Sequence, residues 1–153
     1  MTTFTKWFII NAIIATTCFL AEKKGGLSLM IKNDASYICI SIMILYVVVS
    51  IFLGRLSFLA DRTVTNQDSQ KLLKKTDIGW FCAEHFFSLG LLGTIIGLCI
   101  ATGANLSDTA TTSQVVRGLK IGLNTAFYTT VCGIVFSLPV QVQLMVLKYK
   151  LEK

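Results

Sequence analysis

Charged residues are scarce in this sequence, and several long stretches lack them entirely. Asp, Glu, Lys and Arg make up 14% of the 153 residues, and none occurs between Phe86 and Ser107. A membrane-spanning helix needs roughly 20 predominantly apolar residues. Four apolar blocks of about this size occur, and a soluble domain of this length has too small a core to bury all four. The sequence therefore predicts an all-α integral membrane protein with four transmembrane helices.

The four predicted spans belong to a single membrane domain, residues 1–153, and cover approximately residues 4–21, 35–54, 86–104 and 121–147. The first block also resembles a signal peptide, but no A-x-A cleavage site follows it, so we interpret it as a span. Its Lys6 must extend to the lipid headgroups, unless the segment lies partly in the interface. Residues 55–84 form the longest polar region and are expected to be cytoplasmic, with helices that extend the spans.

Proline is almost absent, and the cysteines lack any ligand-like spacing. The single proline, Pro139, lies in the fourth block and predicts a kink there, either functional or merely tolerated. An odd number of cysteines without a CxxC pair argues against a disulfide framework or a metal site. The five are Cys18, Cys39, Cys82, Cys99 and Cys132.

Carboxylates are missing from all four predicted spans. Intramembrane hydrolysis would require carboxylates, a histidine pair or a serine with a base, so the sequence does not predict an enzyme, and it indicates no cofactor. The formal net charge of +6 does not indicate nucleic-acid binding, because the basic residues flank apolar blocks instead of covering one polar face. Bases in such positions meet the headgroups of a lipid bilayer.

The distribution of basic residues predicts the orientation of the chain. With four spans, nine bases fall on the side that holds both termini and residues 55–84, and five fall on the other side. The positive-inside rule then places both termini and residues 55–84 in the cytoplasm. We therefore expect a multi-pass protein of the inner (cytoplasmic) membrane.

Small residues recur along one face of each of the last two predicted spans. They let two helix backbones approach closely where lipid supplies no hydrophobic drive. The candidates for helix packing are Gly90, Gly93, Gly97, Ala101, Ala126 and Gly133. Hydroxyl side chains share these faces, either bonded to their own helix carbonyls or lining an ion pathway. They are Thr94 in the third span and Thr125, Thr129, Thr130 and Ser137 in the fourth.

Two ordered motifs carry a resemblance to a known family. The third span contains Gly90-Leu-Leu-Gly-Thr-Ile-Ile-Gly97, which resembles the G-L-x-G-T-x-x-G signature of the MotA/TolQ/ExbB ion-channel family. Residues 122–139 resemble the last helix of that family, and Thr130 and Gly133 repeat the T-x-x-G spacing. A polar loop over residues 105–114 separates the motifs. The resemblance covers about residues 85–145.

This resemblance implies a homo-pentameric ring around two copies of a single-span partner of the MotB/TolR/ExbD kind, which carries a membrane aspartate. It implies a stator subunit that couples the flow of H⁺ or Na⁺ to mechanical work. Thr94 and Thr130 would contact the partner's aspartate, with Thr125, Thr129 and Ser137 along the ion pathway. Where ExbB-like members carry a glutamate this chain has Thr125, and the short region 55–84 does not favour driving a flagellar rotor.

Three interpretations stay open on the sequence alone. A small pore-forming or scaffolding membrane protein, such as a holin-like product, also fits the size and the basic tail, but does not predict two ordered motifs. Glu84 and His85 are either a proton-exit relay or an ordinary interfacial pair. Gln141 and Gln143 lie either at the cytoplasmic mouth of the fourth span, which we expect, or in a selectivity site.

Overall fold

The computed structural model describes residues 2–62, 66–103 and 111–152. These residues form helices and no strand, so the all-α prediction is confirmed for the described part of the chain. The five helices are α1 (Thr3–Lys23), α2 (Gly26–Asn33), α3 (Ile38–Arg62), α4 (Asn66–Gly103) and α5 (Thr112–Leu151).

Four of these helices, α1, α3, α4 and α5, are long and apolar enough to cross a membrane, as predicted. The sequence did not predict α2, whose eight residues are too few to show a helical period. It follows Gly25, which has a left-handed φ of 71° and lets the chain turn after α1. The end of the third predicted span at Ala104 and most of the polar loop lie outside the described residues.

The helices α4 and α5 form an antiparallel pair that is longer than a membrane is thick. At 1.5 Å per residue, the 38 residues of α4 and the 40 residues of α5 span about 57 and 60 Å. The hydrocarbon core of a bilayer is only about 30 Å thick. Neither helix can therefore lie wholly within the hydrocarbon core. Near the start of α4 and the end of α5, Leu72, Leu144 and Leu147 belong to the hydrophobic core of the bundle.

The third helix packs against both members of that pair. The Tyr46 ring lies 5.0 Å from the Phe136 ring and 6.5 Å from the Phe86 ring, measured between centroids. Phe86, on α4, is fully buried. These aromatic contacts place the core where α3, α4 and α5 meet.

Polar side chains connect the first helix to α3. Tyr46 Oη donates a hydrogen bond to Asn11 Oδ1 at 2.9 Å, and Ser50 Oγ donates to the same oxygen at 2.6 Å. Trp7 Nε1 donates to the Ser50 carbonyl at 3.1 Å. Away from this seam α1 exposes large apolar side chains such as Phe8, which is the surface expected against lipid.

A carboxylate at the end of α3 also holds the start of α1. The two oxygens of Asp61 accept hydrogen bonds from the backbone N–H groups of Thr3 at 2.9 Å and Phe4 at 2.8 Å. These N–H groups have no partner within their own helix, and the helix dipole favours an anion there. Because α4 begins and α5 ends at the same side, both ends of the chain lie at one end of the bundle.

Candidate functional site

The seam between α4 and α5 is built from small residues in backbone contact. A Cβ atom added at Gly97 would lie 2.5 Å from the Gly122 carbonyl oxygen and 2.6 Å from the Ala126 nitrogen. One added at Gly133 would lie 2.8 Å from the Phe86 carbonyl oxygen and 3.0 Å from Gly90 Cα. Backbone atoms cannot move aside as a flexible side chain can, so this seam requires glycine at both positions.

The remaining packing candidates lie along the same seam. Gly93 faces the Thr129 side chain, and Gly122 on α5 faces Ala101 on α4. As the residue numbers rise along α4 they fall along α5, which is the register of an antiparallel pair. The structure thus places all six predicted packing residues, Gly90, Gly93, Gly97, Ala101, Ala126 and Gly133, between these two helices.

Thr94 and Thr130 meet across this seam. Their Oγ1 atoms are 2.6 Å apart, and both side chains are half-buried. Each hydroxyl also lies 3.0 Å from a carbonyl oxygen of its own helix, that of Gly90 for Thr94 and that of Ala126 for Thr130. Back-bonding to the helix carbonyls is therefore present, together with a contact between the two hydroxyls. That these hydroxyls line an ion pathway stays a prediction.

The two threonines have fewer protons than hydrogen-bond contacts. Each hydroxyl has one proton to donate and two lone pairs that accept. Two protons therefore serve three contacts, so Thr94 and Thr130 can exchange donor and acceptor roles at little cost. Such a pair also keeps lone pairs free for a water molecule, a cation or a protonated carboxyl group.

The hydroxyl pair is a polar spot on an otherwise apolar surface. Exposed apolar side chains flank it on both helices: Leu91, Ile95 and Leu98 on α4, and Phe127, Val131 and Ile134 on α5. A partner helix packed against this surface would contact apolar side chains and, between them, the two hydroxyl groups of Thr94 and Thr130.

Three other predicted pathway residues lie inside the single chain. Thr125 and Thr129 are fully buried, and Ser137 is 3% exposed. Thr125 Oγ1 accepts a hydrogen bond from the Ala35 N–H at 3.2 Å, and Ser137 Oγ donates to the Ala83 carbonyl at 2.9 Å. The structure does not bring these three to the surface that Thr94 and Thr130 share. Their place in an ion pathway stays a prediction.

The predicted kink residue lies within a continuous helix, since α5 runs unbroken through Pro139 from Thr112 to Leu151. Proline has no N–H to donate, so the ladder of hydrogen bonds is interrupted there. Past it, Gln141 donates to Ser137 Oγ at 2.9 Å. Gln143 is 4% exposed, and its polar atoms find no hydrogen-bond partner among the described residues. That Gln141 and Gln143 lie at the cytoplasmic mouth stays a prediction.

Glu84 and His85 are both exposed at the start of the apolar part of α4. His85 Nδ1 lies 2.7 Å from the Phe81 carbonyl oxygen, and the imidazole packs on the Phe81 ring at 3.9 Å. These contacts hold His85 to its own helix. Whether the pair takes part in proton exit stays open.

Sequence reasoning missed one buried acidic residue, Asp34, in the turn between α2 and α3. Its side chain is 3% exposed and accepts hydrogen bonds from the backbone N–H groups of Ser36 at 2.9 Å and Cys39 at 2.8 Å, and from the Ser36 hydroxyl. Burial alone would raise the pKa of Asp34, but these hydrogen bonds outweigh it and lower the pKa. The signal was an Asp-x-Ser turn just before an apolar helix.

A family model describes the part of the chain that contains this seam. The model of the MotA/TolQ/ExbB proton channel family matches residues 62–153, which is more than half of the chain. The chain belongs to the MotA/TolQ/ExbB proton channel family. The resemblance predicted from the two motifs is thereby confirmed, and the match extends beyond the predicted core of residues 85–145.

The family match includes all of α4 and α5, whereas α1, α2 and nearly all of α3 precede it. No curated protein and no solved structure matches the chain. Members of the MotA/TolQ/ExbB family are membrane proteins of the channel type that oligomerise and work with other membrane proteins. With its four candidate spans, this chain is a multi-pass membrane protein of that family.

Proposed function

We propose that this chain is the channel-forming stator subunit of an ion-driven membrane motor. In this proposal five copies form a ring around two copies of a single-span partner, and the partner supplies a membrane aspartate. The family match supports the channel role, and the Thr94–Thr130 contact carries the site. The holin-like alternative predicts neither observation.

The need for a borrowed carboxylate follows from the composition of the apolar helices. No Asp or Glu occurs in residues 4–21, 35–60, 86–103 or 112–151. Hydroxyl groups orient water and coordinate cations, but they do not release protons readily near neutral pH. A group that is loaded and unloaded with protons at membrane depth must therefore come from another chain.

The threonine pair would act on that carboxylate in both of its charge states. A Thr hydroxyl donates to the ionised form and accepts from the protonated form. Because Thr94 and Thr130 can exchange donor and acceptor roles, the site accommodates either state without rearranging the helices. Each proton that binds or leaves would change the charge of the partner's aspartate and thereby its hydrogen bonds to the ring. This alternation would move the ring relative to the partner.

The proposed orientation places both termini in the cytoplasm. The structure supports a common side for them, because Asp61 at the end of α3 binds the start of α1, and the last turn of α5 carries Lys148 and Lys150 at the same end. The excess of basic residues at this end favours the cytoplasmic face of the inner membrane. The extended parts of α4 and α5 would then be the cytoplasmic extensions.

The decisive experiment replaces each hydroxyl by a methyl group of similar size. We expect Thr94→Val and Thr130→Val to leave the mass of the purified assembly unchanged and to lower proton flux into vesicles by roughly tenfold, the equivalent of one lost hydrogen bond. Thr102→Val is the matched control, because Thr102 is exposed on α4 and its hydroxyl donates to the Leu98 and Cys99 carbonyls of its own helix.

Full flux in both seam variants would exclude this role for the pair. The mass of the native assembly tests the ring separately, since five copies with two partner chains are expected. Flux measured with and without Na⁺ at a fixed pH gradient distinguishes the two ions. A proton channel conducts in both conditions.

A further inference from the structure

Three of the five cysteines come together in the folded chain, although their spacing in the sequence gives no sign of it. Cys18 on α1, Cys39 on α3 and Cys132 on α5 line one apolar cavity of about 120 Å³. Leu27, Met30 and other apolar side chains form the rest of its wall. The cavity therefore joins sulfur atoms from three different helices.

Cys39 and Cys132 are in direct contact within this group. The Cys132 thiol donates a hydrogen bond to the Cys39 carbonyl oxygen, with Sγ 3.8 Å from that oxygen. The residues are 1% and 2% exposed, so both thiols are held in place by packing. A disulfide requires its two sulfur atoms to approach to about 2.05 Å, and two cysteines that touch across the α3–α5 interface and line one cavity are placed for that approach.

We propose that Cys39 and Cys132 form an oxidative modification site that closes into a disulfide between α3 and α5. The oxidant is a small apolar disulfide that enters through the cavity. One cysteine sulfur attacks the reagent and releases its first thiol, and the second cysteine then attacks the mixed disulfide and releases the other. Two protein S–H bonds and one reagent S–S bond are lost, while one protein S–S bond and two reagent S–H bonds form.

The disulfide would connect α3 to the α4–α5 seam. Cys132 lies two residues beyond Thr130 on α5, and the Cys39 N–H is already bonded to Asp34. A disulfide would therefore fix α5 against the start of α3. That it would also stop ion-driven motion rests on the proposed function, whereas formation of the bond does not.

The test uses the full chain in membranes and the apolar reagent 2,2′-dithiodipyridine. In a variant with Cys18→Ala, Cys82→Ala and Cys99→Ala, we expect roughly two equivalents of released thiol per chain and one linked peptide pair containing Cys39 and Cys132. Dithiothreitol should reverse the link. Adding Cys39→Ser or Cys132→Ser should give about one equivalent and a mixed disulfide that remains on the protein.

Peptide mapping of the unaltered chain guards against misfolding of the multiple variant, and should show the same linked pair. Two stable mixed disulfides without a link would overturn the proposal, and so would a link from Cys132 to Cys18. Unreacted thiols in both proteins would overturn it as well. None of these outcomes depends on whether the chain conducts ions.

Discussion

The α4–α5 seam and the attachment of α1 to α3 show two ways to join helices in a membrane. Along the first, glycines bring backbones into contact, and the two hydroxyls of Thr94 and Thr130 meet between them. Along the second, hydrogen bonds at Trp7, Asn11 and Asp61 connect the helices, and the Trp7 ring packs against Gly54. At Gly97 and Gly133 the first seam brings backbone against backbone, whereas the second adds directed polar contacts to side-chain packing.

The largest expected effect comes from adding one methyl group to the tight seam. Gly97→Ala places a Cβ against the backbone of Gly122 and Ala126, so we expect a loss of about 1–3 kcal/mol in unfolding free energy, with a matching fall in Tm. Gly103→Ala is the control on the same helix, since among the described residues no packing neighbour lies within 4 Å of the added Cβ. Equal Tm values for the two variants would refute the close contact.

A smaller effect is expected at the α1 attachment. Asp61→Asn replaces one carboxylate oxygen by an NH₂ group, which cannot accept a hydrogen bond from the backbone N–H of α1. We expect the free energy of unfolding to fall by about 1–2 kcal/mol. Hydrogen exchange at the Thr3 and Phe4 amides should accelerate, while amides of the α4–α5 seam stay protected. Asp68→Asn is the control, because Asp68 is an exposed carboxylate on α4 that forms an ion pair with Lys71. Unchanged exchange at the start of α1 would contradict the assigned role of Asp61.

The smallest effect is expected at Asp34, in the turn between α2 and α3. Asp34 has a lowered pKa in the folded chain, so its carboxylate stabilises the fold at pH values well above its ordinary pKa of 3.8. That stabilisation is lost as the pH falls through the lower folded-state pKa. The Tm difference between the unaltered chain and Asp34→Asn should be present at pH 7 and shrink as the pH falls below 3.8. A difference independent of pH would show that the charge of Asp34 does not matter.

The comparison also explains which interpretations of the sequence were confirmed. The seam residues follow a helical period, so Gly90, Gly97 and Thr94 could be assigned to one face of one helix from local spacing alone. The contacts of Asp61 with α1 and of Thr125 with Ala35 join residues far apart in the sequence. The spacing of residues within one helix does not predict such long-range pairs, and the sequence analysis missed both.

Composition and periodicity by themselves determined that this chain is helical, spans a membrane and carries the two family motifs, because these properties depend on neighbours within a few turns of helix. Only the tertiary structure decided how each helix is rotated. That rotation turns Thr130 toward Thr94 while it buries Thr129 and Ser137, and it brings Cys39 to Cys132. Such outcomes depend on which faces of separate helices pack together, and the spacing within one helix carries no information about its partner.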